Sequence, residues 1–289
     1  MSAHVDRGPS PRVWFITGAS RGLGHAIATA ALHAGDSVAV AARTEAPLRE
    51  LAARHGDRVL PLPLDVTDRA AVVAAVGAAV EAFGRLDVVV NNAGSLFLGM
   101  VEEWTEAEAR AQLEVNFFGA LWVSQAVLPH LRAQRHGHLL QMSSLGGLGG
   151  YSSTGLYSAS KFALEGMSEA LAQEAAPFGV RVTIVEPGGY WTDLYTSMRT
   201  ATPLPAYAQL RAELERQWAE GSVDSDPRLA ADAVLRLVAS DDPPLRLVLG
   251  SVAYDLVVGL AQQRVATWTR WESVSRAAER AIPMPTPGS

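Results

Sequence analysis

Residues 16–28 read ITGASRGLGHAIA: an apolar strand end, a turn with three glycines, and the start of an apolar helix. The alternation of short apolar runs with helical patterns continues along the chain, through VWFIT (13–17), SVAVAA (37–42), LDVVV (86–90), HLLQMSS (138–144) and VRVTIVEP (180–187). Such repetition is typical of βαβ units. Because the runs are apolar throughout, we expect strands buried on both faces of a parallel sheet. The predicted fold class is α/β, with helices covering both sides of the sheet.

The composition narrows the function classes. The chain has 289 residues, 48% hydrophobic and 19% charged, and a net charge of −6, values ordinary for a folded domain. Its basic residues form no run, which argues against nucleic acid as a partner. The absence of cysteine excludes disulfides and thiolate metal sites. His136 and His138 are the only closely spaced histidines, and we interpret them as a turn before a strand, so no metal site is predicted.

No stretch of the sequence predicts passage through or out of a membrane. The N-terminus, MSAHVDRGPSPR, has no apolar core like that of a signal peptide, and no predominantly apolar run of 18 residues is present. We therefore expect a cytoplasmic protein.

The glycine turn predicts a phosphate site. Gly18, Gly22 and Gly24 stand at the mouth of the first helix, in the spacing Gly-x-x-x-Gly-x-Gly. Glycines let the backbone approach a pyrophosphate, and the start of a helix offers free amide groups and a favourable dipole. Glycine-rich turns also occur for structural reasons alone, but the strand-turn-helix context favours a dinucleotide.

The end of the second strand indicates which dinucleotide. Folds that prefer NAD place an acidic residue there against the ribose hydroxyls, whereas this chain has Ala42 followed by Arg43. Alanine removes the repulsion that a 2′-phosphate would meet, and Arg43 can hold that phosphate through charge-assisted hydrogen bonds. Arg21, in the glycine turn, is placed to add a second cation. NADP(H) is therefore the predicted cofactor.

Six separated motifs together resemble the short-chain dehydrogenase/reductase family over about residues 12–250. They are TGASRGLG (17–24), NNAG (91–94), Asn116 in EVNFFGAL, Ser144 in MSS, YSASK (157–161) and the looser Pro187, Gly188 and Thr192. The region 140–200 and the extended C-terminus look most like bacterial proteins related to steroid dehydrogenases. The resemblance implies a Rossmann-type doubly wound sheet, a nicotinamide cofactor, and hydride transfer at a carbonyl or alcohol group.

Tyr157 and Lys161 are four residues apart, so on a helix they share one face. A carbonyl that accepts hydride must also accept a proton, which a tyrosine hydroxyl can deliver. An ammonium nearby stabilises the phenolate, so we expect Lys161 to lower the pKa of Tyr157 from its usual value of about 10. Ser144, 13 residues before Tyr157, would donate a hydrogen bond to the substrate oxygen. By resemblance, Asn116 would hold a water linking Lys161 to solvent.

The remaining cofactor contacts also follow from the resemblance. Asp65 and Val66 match the adenine contact, and Thr192 matches a contact to the nicotinamide carboxamide. The full predicted set of cofactor-binding residues is Gly18, Ser20, Arg21, Gly22, Leu23, Gly24, Arg43, Asp65, Val66, Asn92, Ala93, Gly94, Tyr157, Lys161, Pro187, Gly188 and Thr192.

Substrate contacts are expected beyond the carboxyl ends of the strands, where open α/β sheets bind ligands. Aromatic residues in those segments are Phe97, Tyr151, Tyr190, Trp191, Tyr195 and Tyr207. Of these, all but Tyr207 are predicted substrate residues, and together they favour a bulky, hydrophobic ketone or alcohol. The alternative is that several of them only pack a lid.

The predicted organisation is a disordered tail (1–11), one dehydrogenase domain (12–282) with a substrate lid at about 190–225, and a second disordered tail (283–289). Two other functions stay open: a sensor or scaffold that binds NADP(H) without turnover, and an epimerase or dehydratase on the same fold. The resemblance also implies a homodimer or homotetramer.

Overall fold

The structure is a computed structural model, and it describes residues 11–192, 197–221 and 224–280. Its strands are β1 (Val13–Thr17), β2 (Ser37–Ala42), β3 (Val59–Pro63), β4 (Val88–Asn91), β5 (Phe97–Leu98), β6 (Gly137–Met142), β7 (Val180–Pro187), β8 (Arg199–Thr200) and β9 (Arg246–Leu249). Its α-helices are α1 (Gly22–His33), α2 (Glu45–His55), α3 (Arg69–Phe83), α4 (Glu106–Leu113), α5 (Gly119–Gln134), α6 (Gly155–Ala175), α7 (Ala208–Gly221), α8 (Pro227–Ala239), α9 (Ser251–Arg270) and α10 (Glu272–Ala277). A π-helical turn, Glu114–Phe118, joins α4 to α5.

Seven strands form one parallel sheet in the order β3-β2-β1-β4-β6-β7-β9. Ile16 on β1 pairs with Val40 of β2 on one side and with Val90 of β4 on the other. The strand order therefore runs outward in opposite directions from β1 and β4. Ligands of doubly wound sheets bind at such a switch point, outside the carboxyl ends of the strands.

Both faces of the sheet are buried, as the apolar strands predict. Trp14 and Ile16 of β1 belong to a core cluster under α1, α2 and α8, whereas Val13 and Phe15 belong to a second cluster under α3, α5 and α6. Neighbouring residues alternate between the two clusters because successive side chains of a strand point to opposite faces. The predicted α/β class and the doubly wound sheet are confirmed.

Most element boundaries agree with the sequence pattern within two residues, and three features differ. The two-residue strands β5 and β8 pair in a small parallel sheet of their own, which no periodicity indicated. The π-helical turn interrupts what reads as one helix. The extended C-terminus forms two helices, α9 and α10, divided at Trp271. The predicted tails fall almost wholly at 1–10 and 281–289, outside the described residues.

Three segments cover the carboxyl edge of the sheet. β8 lies beside β5, α7 follows it, and α9 packs on the loop after β6, where Arg264 donates a hydrogen bond to the carbonyl of Leu148. These segments surround the site described next.

Candidate functional site

A cavity of about 1110 Å³ opens at the carboxyl edge of the sheet. One part of its wall comes from the turns after β1, β2, β3 and β4, and other parts come from the loop after β6, from α6, from the segment after β7, and from α7 and α9. It therefore lies at the switch point that the sheet topology defines, with room for both a dinucleotide and a second ligand.

The glycine turn forms one end of this cavity. Gly18 has φ +65°, and a Cβ there would lie 2.9 Å from Cα of Ala93, so only glycine fits. Gly22 also has a positive φ, +58°. The first turn of α1 has no side-chain cap and no acidic residue. The exposed amides of this turn fit a pyrophosphate.

Gly24 has a different role from the one predicted. It does not line the cavity, and a Cβ there would lie 2.4 Å from Nδ2 of Asn92 and 2.6 Å from the carbonyl oxygen of Gly18. Asn92 itself donates to the carbonyls of Thr17 (2.9 Å) and Gly18 (3.2 Å). Gly24 therefore allows α1 and Asn92 to pack closely against the glycine turn, and its role is to support the cavity wall without lining it.

The cation pair predicted for a 2′-phosphate lies on the cavity wall. Ala42, Arg43 and Thr44 line it at the end of β2, and Arg43 is exposed. Arg21 lines it from the glycine turn and donates to Oγ of Ser197 at 3.1 Å. No acidic side chain stands at the end of β2, so the residues present fit a phosphorylated ribose.

Other predicted cofactor residues lie along the same wall. Asp65 accepts hydrogen bonds from the amide (3.0 Å) and hydroxyl (2.8 Å) of Thr67, which fix the turn after β3. The predicted cofactor residues that line the cavity are Gly18, Ser20, Arg21, Gly22, Leu23, Arg43, Asp65, Val66, Asn92, Ala93, Gly94, Tyr157, Lys161, Pro187, Gly188 and Thr192.

The two adjacent serines after β6 take separate directions. Ser144 faces the cavity, where its hydroxyl accepts from the amide of Gly146 at 3.2 Å and hydrogen-bonds with Tyr157. The hydroxyl of Ser143 instead donates to Oε1 of Glu165 at 2.5 Å. Strand alternation separates them, and it favours Ser144 as the residue that reaches a substrate.

Burial raises the pKa of the Tyr157 hydroxyl, and the hydrogen bond with Ser144 acts in the opposite direction. The prediction that this pKa lies below its usual value is therefore wrong, because burial outweighs the groups that stabilise the phenolate. Nζ of Lys161 lies 5.8 Å from the centre of the Tyr157 ring. Loss of water around the phenol is the largest influence on this pKa and decides its direction.

Lys161 is the only lysine in the chain. It is 6% exposed, and its Nζ donates to the carbonyl of Met142 at 2.7 Å. Burial lowers its pKa to about 8, while the carboxylate of Glu165 raises it. An ammonium this deeply buried needs a reason, because lysines are usually exposed. Its uniqueness was a further sequence signal for the site.

Asn116 lies in the π-helical turn, a feature that often marks functional sites. Its Oδ1 accepts from the amide of Ser95 (2.8 Å), and its Nδ2 donates to the carbonyl of Ser95 (3.1 Å) and to Oγ of Ser160 (3.0 Å). Both N–H groups are therefore occupied by protein atoms. The predicted water could therefore bind to Asn116 only by donating a hydrogen bond to one of its oxygen atoms. The side chain of Asn116 also links the loop after β4, through Ser95, to α6, through Ser160.

Only some of the predicted aromatic substrate residues lie on the cavity wall. Tyr151 and Tyr190 line the cavity. Phe97 does not: it packs edge-on against Trp104, because the neighbouring Leu96 and Leu98 face the cavity. Trp191 is 67% exposed and also lies off the wall. Tyr195 is outside the described residues.

Helix α7 supplies wall residues that sequence reasoning did not name. Arg211, Leu214 and Trp218 line the cavity, as does Leu256 of α9. Their spacing of three and four residues along α7 is the helical repeat, which is the signal that could have identified them. Tyr207, by contrast, donates to Oε2 of Glu102 at 2.7 Å, away from the wall.

The described residues contain neither a metal site nor a membrane-spanning helix. No group of three His, Asp or Glu side chains there is placed to hold a metal ion. His138 is buried on β6 beside the hydroxyl of Thr183 (2.9 Å). No helix in the described part of the chain is both long and apolar enough to cross a membrane.

A parallel doubly wound sheet with serine, tyrosine and lysine meeting in its switch-point cavity defines a dehydrogenase-like site. The short chain dehydrogenase family pattern matches residues 12–203. The chain therefore belongs to the short-chain dehydrogenase/reductase family of oxidoreductases.

Individual relatives cover nearly the whole chain. Oxidoreductase BOA17 of Botryotinia fuckeliana is 43% identical over 272 residues, 92% of this chain and 99% of that one. A 3-ketodihydrosphingosine reductase of Bacteroides thetaiotaomicron is 36% identical over 248 residues, 83% of this chain and 88% of its own.

Solved structures share the same architecture. A short-chain dehydrogenase from Streptomyces avermitilis is 40% identical with a TM-score of 0.88, covering 94% of this chain and 100% of that chain. An alcohol dehydrogenase from Thermococcus sibiricus, complexed with 5-hydroxy-NADP, is 29% identical with a TM-score of 0.71, covering 84% and 98%.

Proposed function

We propose that this protein is an NADPH-dependent ketoreductase that reduces a bulky, hydrophobic carbonyl compound to a secondary alcohol. The observation that carries the proposal is the meeting of Ser144, Tyr157 and Lys161 on the wall of one cavity. A protein that only senses or stores a nucleotide has no use for this combination.

The chemistry divides between the cofactor and the side chains. When bound, NADPH supplies the hydride that the carbonyl carbon accepts. Ser144 donates a hydrogen bond to the carbonyl oxygen as negative charge develops there. Tyr157 then gives its proton to that oxygen, and the ammonium of Lys161 stabilises the phenolate that is left. Burial raises the pKa of Tyr157 and so weakens it as an acid, which is why a nearby ammonium that stabilises the phenolate matters for proton transfer.

The choice of NADPH rests on charge. Arg43 and Arg21 flank the end of β2, where Ala42 replaces an acidic residue. The Thermococcus sibiricus structure, which contains an NADP derivative, agrees with this choice. NADPH also favours the direction of reduction.

The substrate part of the cavity is mostly apolar. Its wall includes Leu96, Leu98, Leu145, Tyr190, Met198, Leu214, Trp218 and Leu256. The side chain of Arg211 also reaches the wall, but Glu103 neutralises it. An apolar wall with few polar groups suits a large hydrophobic ligand. The relative named for reduction of 3-ketodihydrosphingosine is consistent with a ketone that carries a long apolar chain.

The test is NADPH oxidation against ketones graded by size and polarity, with Tyr157→Phe as the control. We expect large apolar ketones to give the highest kcat/KM, and Tyr157→Phe to lose nearly all turnover while keeping its NADPH affinity. A clear preference for small polar ketones would reject the bulky substrate. If NADPH binds but no ketone is reduced, the result favours a sensor or scaffold. If a product forms without net oxidation of NADPH, the result favours an epimerase or dehydratase.

A further inference from the structure

A buried cluster of charges lies directly behind the catalytic side chains. Glu165 is one helical turn beyond Lys161 on α6, as Lys161 is one turn beyond Tyr157, so the three share a face of the helix. The Glu165 side chain is 5% exposed. Charged side chains this deeply buried are rare unless they are paired, so the partners of Glu165 indicate what it holds in place.

Both oxygens of Glu165 are occupied. Oε1 accepts from the hydroxyl of Ser143 at 2.5 Å, and Oε2 accepts from Nη2 of Arg246 on β9 at 2.8 Å. These are the contacts of an ionised carboxylate, which only accepts hydrogen bonds. The backbone leaves space for them: a Cβ on Gly147 would lie 2.4 Å from Oγ of Ser143 and 2.6 Å from Oε1 of Glu165.

The cluster is tied to both catalytic groups. Ser143 immediately precedes Ser144, and its amide donates to the carbonyl of Val185 on β7 at 2.7 Å. On the other side, the carboxylate of Glu165 acts electrostatically on the Lys161 ammonium, opposing the effect of burial. Glu165 therefore contacts the turn that carries one catalytic residue and supplies charge to another.

We propose that Glu165 is a positioning residue: its buried carboxylate keeps the Lys161 ammonium charged and, by holding Ser143, fixes the turn that presents Ser144. This inference rests on the proposed function for its catalytic consequence, but the charge state of Lys161 is measurable without any turnover.

The surrounding charges define the control. Around Lys161, the titratable neighbours are Tyr157 and Glu165, both on α6, while β6 contributes the Met142 carbonyl. Arg246 also pairs with Glu169 of α6 at 2.7 Å, and its Nε lies 3.1 Å from Oε1 of Glu186 on β7. The Glu169 side chain is 50% exposed, so Glu169→Gln removes the same charge from the same arginine near solvent.

The experiment uses the full chain labelled with ¹³C,¹⁵N-lysine. Lys161 is the only lysine, so a tag-free protein gives one side-chain signal, and its pH titration reports this ammonium directly. We expect a midpoint near 8 in the wild type. In Glu165→Gln the midpoint should fall by about one pH unit or more, the effect of losing a nearby opposite charge. Glu169→Gln should leave it almost unchanged.

Kinetics provide the second measurement. In Glu165→Gln, ketone reduction should lose activity at a lower pH than in the wild type, by the same shift, because deprotonation of Lys161 ends catalysis. Ser143→Ala removes the hydrogen bond but keeps the charge, so it should lower kcat several-fold while leaving the lysine midpoint in place. If Glu165→Gln does not fold, the kcat of Ser143→Ala tests the proposal in its place.

The outcomes separate the two proposals. An unchanged lysine midpoint in folded Glu165→Gln, or a Ser143→Ala variant with wild-type kcat, overturns the role of Glu165. If no ketone is reduced by the wild type, the proposed function fails, while the lysine titration still decides whether Glu165 holds the ammonium charged.

Discussion

Arg211 of α7 holds Glu103 through both carboxylate oxygens, each 2.7 Å from its Nη2. Glu103 also accepts from the amides of Met100 (2.8 Å) and Leu204 (2.9 Å), and its side chain is fully buried. The hydrogen bond with Arg211 is the main reason why the pKa of Glu103 falls to about 2. This contact joins the segment after β5 to the helix that covers the cavity.

Glu103→Gln should therefore loosen α7 on the substrate side of the cavity. We expect KM for a large ketone to rise several-fold, with little change in NADPH affinity. The reason is that a neutral amide at this position binds the Arg211 guanidinium more weakly than the carboxylate of Glu103 does. Steady-state kinetics and NADPH fluorescence titration measure the two effects. Since a pKa near 2 keeps Glu103 ionised, the wild-type KM should not vary through this group between pH 5 and 8.

Glu102→Gln is the matched control, since Glu102 is exposed and accepts a hydrogen bond from the hydroxyl of Tyr207. It should leave KM close to the wild-type value. Equal effects of the two substitutions would show that the Glu103–Arg211 pair does not hold the helix.

Arg43→Ala should weaken NADPH binding far more than NADH binding. A charge-assisted hydrogen bond contributes about 1.5–3 kcal/mol, so the NADPH Kd should rise roughly 10- to 100-fold. Arg49→Ala is the control, because Arg49 pairs with Glu45 on the exposed side of α2 and does not line the cavity. Equal losses for both nucleotides in Arg43→Ala would remove the 2′-phosphate argument.

The parts of this molecule that were predictable from sequence depend on local patterns. The strands around Ile16 and Val40 and the helix carrying Tyr157 and Lys161 follow from periodicity, and the glycine turn from the need for positive φ at Gly18. A strand of two residues is too short for its sequence to show which side chain faces the cavity. For this reason the sequence predicts Phe97 on the wall, whereas Leu96 and Leu98 line it.

Long-range contacts account for the remainder. Glu165 pairs with Arg246, which is 81 residues away in the sequence, and Glu103 pairs with Arg211, which is 108 residues away. Neither pair has a sequence signal, because each partner alone reads as an ordinary helix or strand charge. The direction of the Tyr157 pKa also depended on burial, which only the folded arrangement defines.

Two glycine substitutions should have opposite effects on stability. Gly24→Ala places a Cβ 2.6 Å from the carbonyl oxygen of Gly18, so we expect a loss of about 1–3 kcal/mol and weaker NADPH binding. Gly77→Ala, within α3, meets nothing within 4 Å and should stabilise by about 0.5–1 kcal/mol. Urea unfolding measures both. A stable Gly24→Ala with normal NADPH affinity would contradict close packing at the turn.

The buried carboxyl of Glu186 should make the protein less stable as the pH rises. Its side chain is fully buried, and neither oxygen accepts a well-formed hydrogen bond from the described residues. Burial, followed by the charge of Glu165, raises its pKa from 4.5 to about 7. The folded state therefore binds more protons than the unfolded state between these values, so the contribution of Glu186 to stability is most favourable below pH 4.5 and is lost as the pH rises through 7.

Glu186→Gln should remove this dependence. From the two pKa values, the wild-type group costs about 2–3 kcal/mol of unfolding free energy between pH 5 and pH 8. Urea unfolding measures the free energy of unfolding of both proteins at both pH values. Relative to the wild type, Glu186→Gln should be more stable at pH 8 than at pH 5 by this amount. Glu81→Gln, at an exposed position on α3, should follow the wild type at both pH values. A Glu186→Gln variant with the same pH dependence as the wild type would mean that Glu186 titrates in the folded protein as it does in the unfolded chain.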